Sequence, residues 1–302
     1  MEYFNKNMTI QVLLPYEFTA PDIFPVIKSR FGRFSEVPGE VTFDFSRLNF
    51  VRPSGVVFLS NVARFLHRSG CKVTFCGMER DAECMRFLDD ARFFEQHIGK
   101  KIFPGSHVRQ TTQPLVEVRH ERSHNWLRTT LIPWVSASSN VPEHDLYNLQ
   151  TCISEIFNNI NDHSTQDVGS IFAQWYPKEK RVMLSVADFG TGIPNAVRSV
   201  DPELSDPAAI MRAFEECFSS KSSPRNRGLG LFDLQQNIVG RFGGIVTVYS
   251  LEGAVTFSDF QGSVIRREYD VEGYCPGTLI DIELSTDRIE ITSGERESFE
   301  WI

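Results

Sequence analysis

A chain of 302 residues has room for two ordinary domains. Apolar residues make up 41 % and charged residues 23 %, as in a soluble globular protein, and the formal net charge of -8 argues against a general nucleic-acid binder, which places Lys and Arg on phosphates. No run of about eighteen apolar residues occurs, so no membrane span is expected. The N-terminal stretch MEYFNKNMTIQVLLPYEF lacks the pattern of a signal peptide. The six cysteines, Cys71, Cys76, Cys84, Cys152, Cys217 and Cys275, are scattered without a CxxC pair, which reads as reduced thiols of a cytoplasmic protein. His120 and His124 have ligand-like spacing, but no cysteine pair completes a zinc site.

Strand and helix signals alternate up to about residue 105. IQVLLP is a short apolar run, and PDIFPVIKSRF has helical spacing. VTFDF, Val41 to Phe45, reads as a buried strand. SGVVFLSNVARFLHRSG, Ser54 to Gly70, reads as a helix with Ser54 as N-cap and Gly70 as C-cap. CKVTFCG is the next strand, and DAECMRFLDDARFFEQHI is one further helix. Strands alternating with helices imply parallel pairing.

The stretch VTFDFSRLNFVRPSGVVFLSNVARFLHRSGCKVTFCGM resembles the STAS domain of anti-sigma-factor antagonists, and the resemblance covers roughly the first hundred residues. In that family the loop before the helix reads Asp-Ser-Ser-Gly, and its first serine accepts a phosphate. Here the loop reads Arg52-Pro53-Ser54-Gly55, and proline has no hydroxyl to phosphorylate. The resemblance thus implies a domain that binds a partner or packs on its neighbour.

FPGSHVRQTT is rich in turn residues and marks a domain boundary, giving domains 1–108 and 109–285 and a polar, acidic tail 286–302. QPLVEVRH looks like a strand, and NWLRTTLIPWVSASSN mixes polar and apolar residues around Pro133. From Pro142, helical spacing places Leu146, Leu149, Ile153, Ile156, Phe157 and Ile160 on one face. Glu155, Asn159 and Asp162 share the other face, and His163 lies one turn beyond Asn159. A solvated polar face would explain these residues equally well.

Downstream, VMLSVADFGTGIP is a buried strand that ends in Asp188 and then Gly190 and Gly192. A carboxylate there can meet a nucleotide base while the glycines let the backbone approach. FSSKSSPRNRGLGLFDLQQNIVGRFGG begins as a polar loop, and Gly228-Leu229-Gly230 then opens a helix to about Arg241. Amides at a glycine-rich helix start point at an anion. The strands GIVTVYS and GTLIDIEL follow.

Three boxes in this order resemble the GHKL superfamily, which includes DNA gyrase, sensor histidine kinases and the anti-sigma-factor serine kinases. They are Glu155 to His163, Asp188-Phe-Gly190-Thr-Gly192, and Lys221 followed by Arg227-Gly228-Leu229-Gly230, with a closing Gly277-Thr278. The resemblance spans about residues 112 to 285. With the first half, it implies an α/β chain: an N-terminal STAS-like α/β domain, then a C-terminal GHKL (Bergerat) α/β sandwich with helices on one face of a mixed sheet. It also implies ATP and Mg²⁺ as cofactors. Asn159 would coordinate the Mg²⁺, Glu155 would be the general base, and Asp188 would accept a hydrogen bond from the adenine amino group. Gly190 and Gly192 would make room for the adenine, supported by Thr278. Lys221, Arg227 and the amides of Gly228, Leu229 and Gly230 would hold the phosphates. The resemblance assigns His163 no firm role.

Pro194 to Arg227 form a long lid with a helical middle, and an insertion at about 258–276, with Arg266 and Arg267, interrupts the last two strands. The functional expectation is an ATPase whose lid drives a partner-interaction switch. The alternatives are a protein serine/threonine kinase acting in partner switching, or a non-catalytic ATP sensor. A protein partner is expected on the STAS-like domain or the 258–276 insertion, and a homodimer is open.

Overall fold

Residues 3–34, 36–163, 168–216, 218 and 230–289 are described by a computed structural model of the chain. The first part contains β1 (Tyr3–Leu13), β2 (Glu17–Phe18), α1 (Ala20–Phe31), β3 (Glu36–Asp44), β4 (Phe50–Val51), α2 (Pro53–Arg68), β5 (Lys72–Cys76), α3 (Glu83–Asp90) and α4 (Phe93–Ile98). The crossovers make β1, β3 and β5 a parallel sheet in that order, as strand–helix alternation requires. Its core is aromatic: Phe43, Phe45, Phe58, Phe93 and Phe94 are all fully buried.

Two local expectations are corrected. Helix α2 starts at Pro53, with Arg52 as its N-cap, because proline's fixed φ and missing N–H suit the first helical turn. Ser54 therefore lies inside the helix rather than capping it. Its buried hydroxyl accepts the Ala20 N–H at 3.3 Å and bonds the Asp281 carboxyl. At the other end Ser69 is the cap, and Gly70 follows it at φ 84°. The segment expected as one helix to Ile98 is two, α3 and α4. The chain turns left-handed at Arg92 (φ 64°), and buried Asp89 accepts the N–H groups of Ile102 (3.1 Å) and Phe103 (2.8 Å).

The second part contains β6 (Thr112–Arg119), α5 (His120–Trp126), α6 (Ile132–Ser139), α7 (Tyr147–His163), β7 (Val168–Tyr176), β8 (Arg181–Asp188), α8 (Ile193–Arg198), α9 (Asp206–Ala213), α10 (Gly230–Leu234), β9 (Ile245–Phe260) and β10 (Ser263–Ser285). The mixed-polarity stretch around Pro133 is helical: a π-helical turn, Leu127–Leu131, joins α5 to α6. A second, Gln235–Arg241, continues α10. The sheet order is β6-β7-β8-β10-β9, and every neighbouring pair is antiparallel. The sheet expected as mixed is thus antiparallel at each pairing. β7–β8 and β9–β10 are hairpins, and the helices after β6 return the chain in the opposite direction.

Both faces of this sheet are covered, and the pleat sorts residues between them. Val182, Leu184 and Val186 of β8 pack with Ile153, Ile156 and Phe157 of α7. Ala187, with Phe172 and Leu279 on neighbouring strands, instead joins the aromatic core of the first part. The helices of the second part lie on one face, as expected; α1 and α2 lie on the other. Helix α2 crosses several strands. Ser54 meets Asp281 on β10, the Ser170 hydroxyl of β7 donates to Asn61 at 2.5 Å, and Arg64 and Arg68 pair with Glu117 of β6 at 2.6 and 3.2 Å. Ten to fourteen residues of helix span about 15–21 Å, which covers the ~14 Å across four strands.

The 258–276 segment is part of β9 and β10, whose pairing shifts register between Asp270 and Cys275 and again between Cys275 and Thr278. β9 and β10 run on as a two-stranded ribbon, closed by Gln261 (φ 54°) and Gly262 (φ 79°) in the geometry of a type I′ hairpin turn. Lys28 and Arg33 both pair with Glu252 at the root of the ribbon, at 3.0 Å.

His97 sits 4.6 Å from the Phe93 ring and 5.9 Å from Phe75, with a 2.9 Å bond to Ser60. Burial, aided by Arg64, pushes its imidazole down to about 3. The folded chain keeps it neutral, while the unfolded chain protonates it near pH 6.5. Its contribution to stability is complete above about pH 6.5 and is lost as the pH falls from there toward 3. Melting curves across this window should show a steeper loss in the wild type than in His97→Gln; equal slopes would show that His97 is not the titrating group.

Candidate functional site

The polar face of α7 meets the start of α10. Its apolar positions Leu149, Ile153, Ile156 and Phe157 are buried, which turns Glu155 and Asn159 away from the sheet. Gly230 lies against Glu155: a Cβ on that glycine would come within 3.1 Å of the carboxylate Oε2 and 3.3 Å of the Glu155 Cβ. A side chain on residue 230 would crowd Glu155, so the glycine lets α10 begin close to α7. One turn further on, the Asn159 side-chain nitrogen is buried and has no hydrogen-bond partner among the described residues. Gln235 Oε1, in the turn that continues α10, is in the same state. Buried polar groups are normally paired, so a carboxylate beside an unsatisfied amide suits an outside ligand. The Asn159 amide oxygen and the Glu155 carboxylate are hard donors that fit Mg²⁺, while the unsatisfied Asn159 nitrogen is an N–H donor suited to an acceptor on a ligand. Between these helices the Cys152 thiol lies 3.6 Å from the Asp233 carbonyl, and burial pushes it up to about 12, too high for a reactive thiol.

A second group forms where β8, β9 and β10 end. Strict alternation with Leu184 and Val186 places Asp188 on the α7 side of the sheet. The Gly190 N–H donates to its Oδ1 at 2.5 Å. Burial nevertheless pushes the carboxyl up to about 7, because that one hydrogen bond offsets only part of the desolvation. Thr278 is its register partner on β10. The Ser250 hydroxyl donates to the Gly277 carbonyl at 2.6 Å, accepts the Ile193 N–H at 3.1 Å and lies 3.5 Å from the Thr278 hydroxyl. Gly277 (φ 73°) is locked into this junction: a Cβ there would come within 2.7 Å of the Gly190 nitrogen. At Gly192 (φ 82°) a Cβ would lie 2.9 Å from the Ser250 hydroxyl.

The structure thus brings Glu155 together with Gly230, with Asn159 on the same helix. It brings Asp188 together with Gly190, Gly192 and Thr278. Lys221, Arg227, Gly228 and Leu229 lie outside the described residues, as do the side chains of Asp162 and His163. Ser250 escaped the sequence reading; its only signal was a hydroxyl closing the apolar strand GIVTVYS.

Residues 144–267 match the family model of histidine kinase-, DNA gyrase B-, and HSP90-like ATPases. The C-terminal region carries a GHKL ATPase domain. No curated protein matches the chain. The matched segment runs from the turn before α7 into the β9–β10 ribbon, so it contains Glu155, Asn159, Asp188 and Gly230 and ends before Gly277 and Thr278. Such a domain supports ATP binding. No helix of the described residues is long and apolar enough to cross a membrane.

Gly277→Ala should destabilise the protein by more than about 1 kcal/mol and abolish nucleotide binding, since its Cβ meets backbone at a positive φ. Gly105→Ala, also at positive φ (85°) but in open space, is the control for strain alone. Chemical denaturation and a nucleotide titration of both variants check this; equal effects would show that the junction at Gly277 does not matter.

Proposed function

We propose that this protein is a Mg-ATP-dependent regulatory ATPase in which hydrolysis drives a lid and a partner-interaction switch. The observation that carries this reading is Glu155 lying against Gly230, the first described residue of the glycine-rich helix start. A pure nucleotide binder needs no carboxylate where helix amides meet phosphate, whereas hydrolysis needs a base to orient water. In this reading Asn159 holds Mg²⁺, and the metal neutralises charge on the phosphates. Lys221, Arg227 and the amides of Gly228, Leu229 and Gly230 grip those phosphates. Asp188 accepts from the adenine amino group, with Gly190, Gly192 and Thr278 shaping the base side.

The lid is anchored on its N-terminal side. Asp206, at the start of α9, pairs with Arg198 of α8 and accepts the Glu252 N–H at 2.8 Å. Arg212, near the end of α9, bonds Asp201 at 2.8 Å. Residues 1–108, read as a STAS-like unit, and the β9–β10 ribbon are the surfaces proposed for a protein partner, in a cytoplasmic setting. Ser54 is buried beneath α1 and bonded on both sides, so a phosphoacceptor hydroxyl, if the protein is a kinase instead, comes from another molecule.

Incubation with γ-labelled ATP, alone and with cell extract, separates these activities. The expected result is released inorganic phosphate, reduced about 10²–10⁴-fold in Glu155→Ala with ATP binding retained. Label on a protein band that disappears in Glu155→Ala would establish the kinase instead, and binding with neither product would establish a sensor. Asn159→Ala should lose the Mg²⁺-dependent part of ATP affinity; an unchanged affinity would remove the metal assignment.

Affinity should also depend on pH. In the nucleotide-free protein Asp188 holds its proton up to about pH 7, and accepting the adenine amino group requires the carboxylate. Calorimetric titrations should show ATP affinity rising with pH to about 7 and then levelling, with Asp188→Asn weaker and flat. An affinity that rises as the pH falls below 7 would contradict the adenine contact.

A further inference from the structure

Phe189 stands between Asp188 and Gly190, yet its side chain serves the other half of the molecule. Alternation along β8 sends Asp188 toward the α7 face and the next residue toward α2. The Phe189 ring stacks on Phe65 of α2, with centroids 4.3 Å apart and planes 18° apart, and meets Phe34 edge-on at 5.5 Å. Phe34 meets Phe65 edge-on at 5.4 Å and stacks on Phe31 at 5.2 Å. The socket thus consists of two rings of the N-terminal half, Phe65 and Phe34, against one ring from the turn between β8 and α8, with Phe31 stacked behind Phe34.

Phe34 is also conformationally unusual. It is left-handed, at φ 59°, where a bulky side chain is disfavoured. Such a residue persists when the surrounding packing over-determines it. Here the packing is the socket itself, and Phe34 is buried in it.

We propose that Phe34 and Phe65 are positioning residues for the nucleotide base. They fix Phe189, and through its backbone they fix the Asp188 carboxyl and the Gly190 N–H that bonds it. The N-terminal half is then a resident part of the nucleotide site. Linkage makes the effect reciprocal: a base bound at Asp188 tightens the hold of α2 on the sheet. The proposal rests on the reading of Asp188 as the adenine contact.

The test uses the full chain with Mg²⁺ and compares ADP with GDP by calorimetry, since guanine carries a carbonyl where adenine has the amino group that meets Asp188. The variants are Phe65→Ala, the conservative Phe65→Tyr, and Phe34→Gly, which removes the ring while suiting the left-handed backbone. The expected result is a clear ADP preference in the wild type that falls about tenfold or more in Phe65→Ala and Phe34→Gly, with GDP affinity changed by less than about twofold and Phe65→Tyr close to wild type. A merely structural role would lower both affinities together, and that outcome overturns the proposal. So does an unchanged preference in folded Phe34→Gly, whether or not Phe65→Ala folds. If the wild type shows no preference for ADP, the adenine contact itself fails, and the positioning role falls with it.

Discussion

The structure depends on one constraint: the five-stranded antiparallel sheet is buried on both faces, and its pleat decides which residue serves which side. On β8, Val182, Leu184 and Val186 belong to the core beneath α7, while Ala187 belongs to the aromatic core of the N-terminal half. At the end of that strand the same alternation separates two adjacent residues, Asp188 for the α7 face and Phe189 for the N-terminal socket. The proposed base contact and a docking contact are therefore made by one dipeptide, and neither can shift without moving the other.

The seam between the halves is polar along much of its length. Ser54, Asn61 and Arg64 of α2 each meet a partner on a different strand, and Asp281, fully enclosed, is pushed up to about 7 by burial although Ser185 and Ser54 bond it. Buried polar pairs of this kind add little net stability but penalise mispairing strongly, so they fix the register of one half on the other. The hydrophobic share comes from contacts such as Phe24 with Tyr249 at 5.3 Å. Ion pairs from Lys28 and Arg33 to Glu252 extend the seam toward the lid; exposed pairs of this type contribute little each and act mainly by position.

The placement of several candidate residues was legible in the sequence because they carry local signals. Glu155 and Asn159 share a helix face by spacing, and Asp188 closes a run of apolar strand residues before two glycines. Phe189 was not legible, since an aromatic residue after a buried strand looks like more core. The docking of α2 was hidden for a related reason. Ser54 reads as a cap and Asn61 is a single polar residue in an apolar helix, but their partners, Asp281 and Ser170, lie far away in the chain. The break at Arg92 was missed because it needs a left-handed arginine, which no propensity favours. The β9–β10 ribbon read as an insertion because its strands lose the apolar alternation once they leave the core.

The central claim is that nucleotide binding and the hold of the N-terminal half meet at the Asp188–Phe189 junction. Hydrogen exchange on the full chain, with and without Mg-ATP, tests it most directly. If the junction couples them, nucleotide slows exchange both in the turn at 188–193 and in residues 58–68 of α2, which lie on the far side of the sheet from α7. Protection confined to α7 and α10, with α2 exchanging at its free rate, would show that the two faces of the sheet act independently.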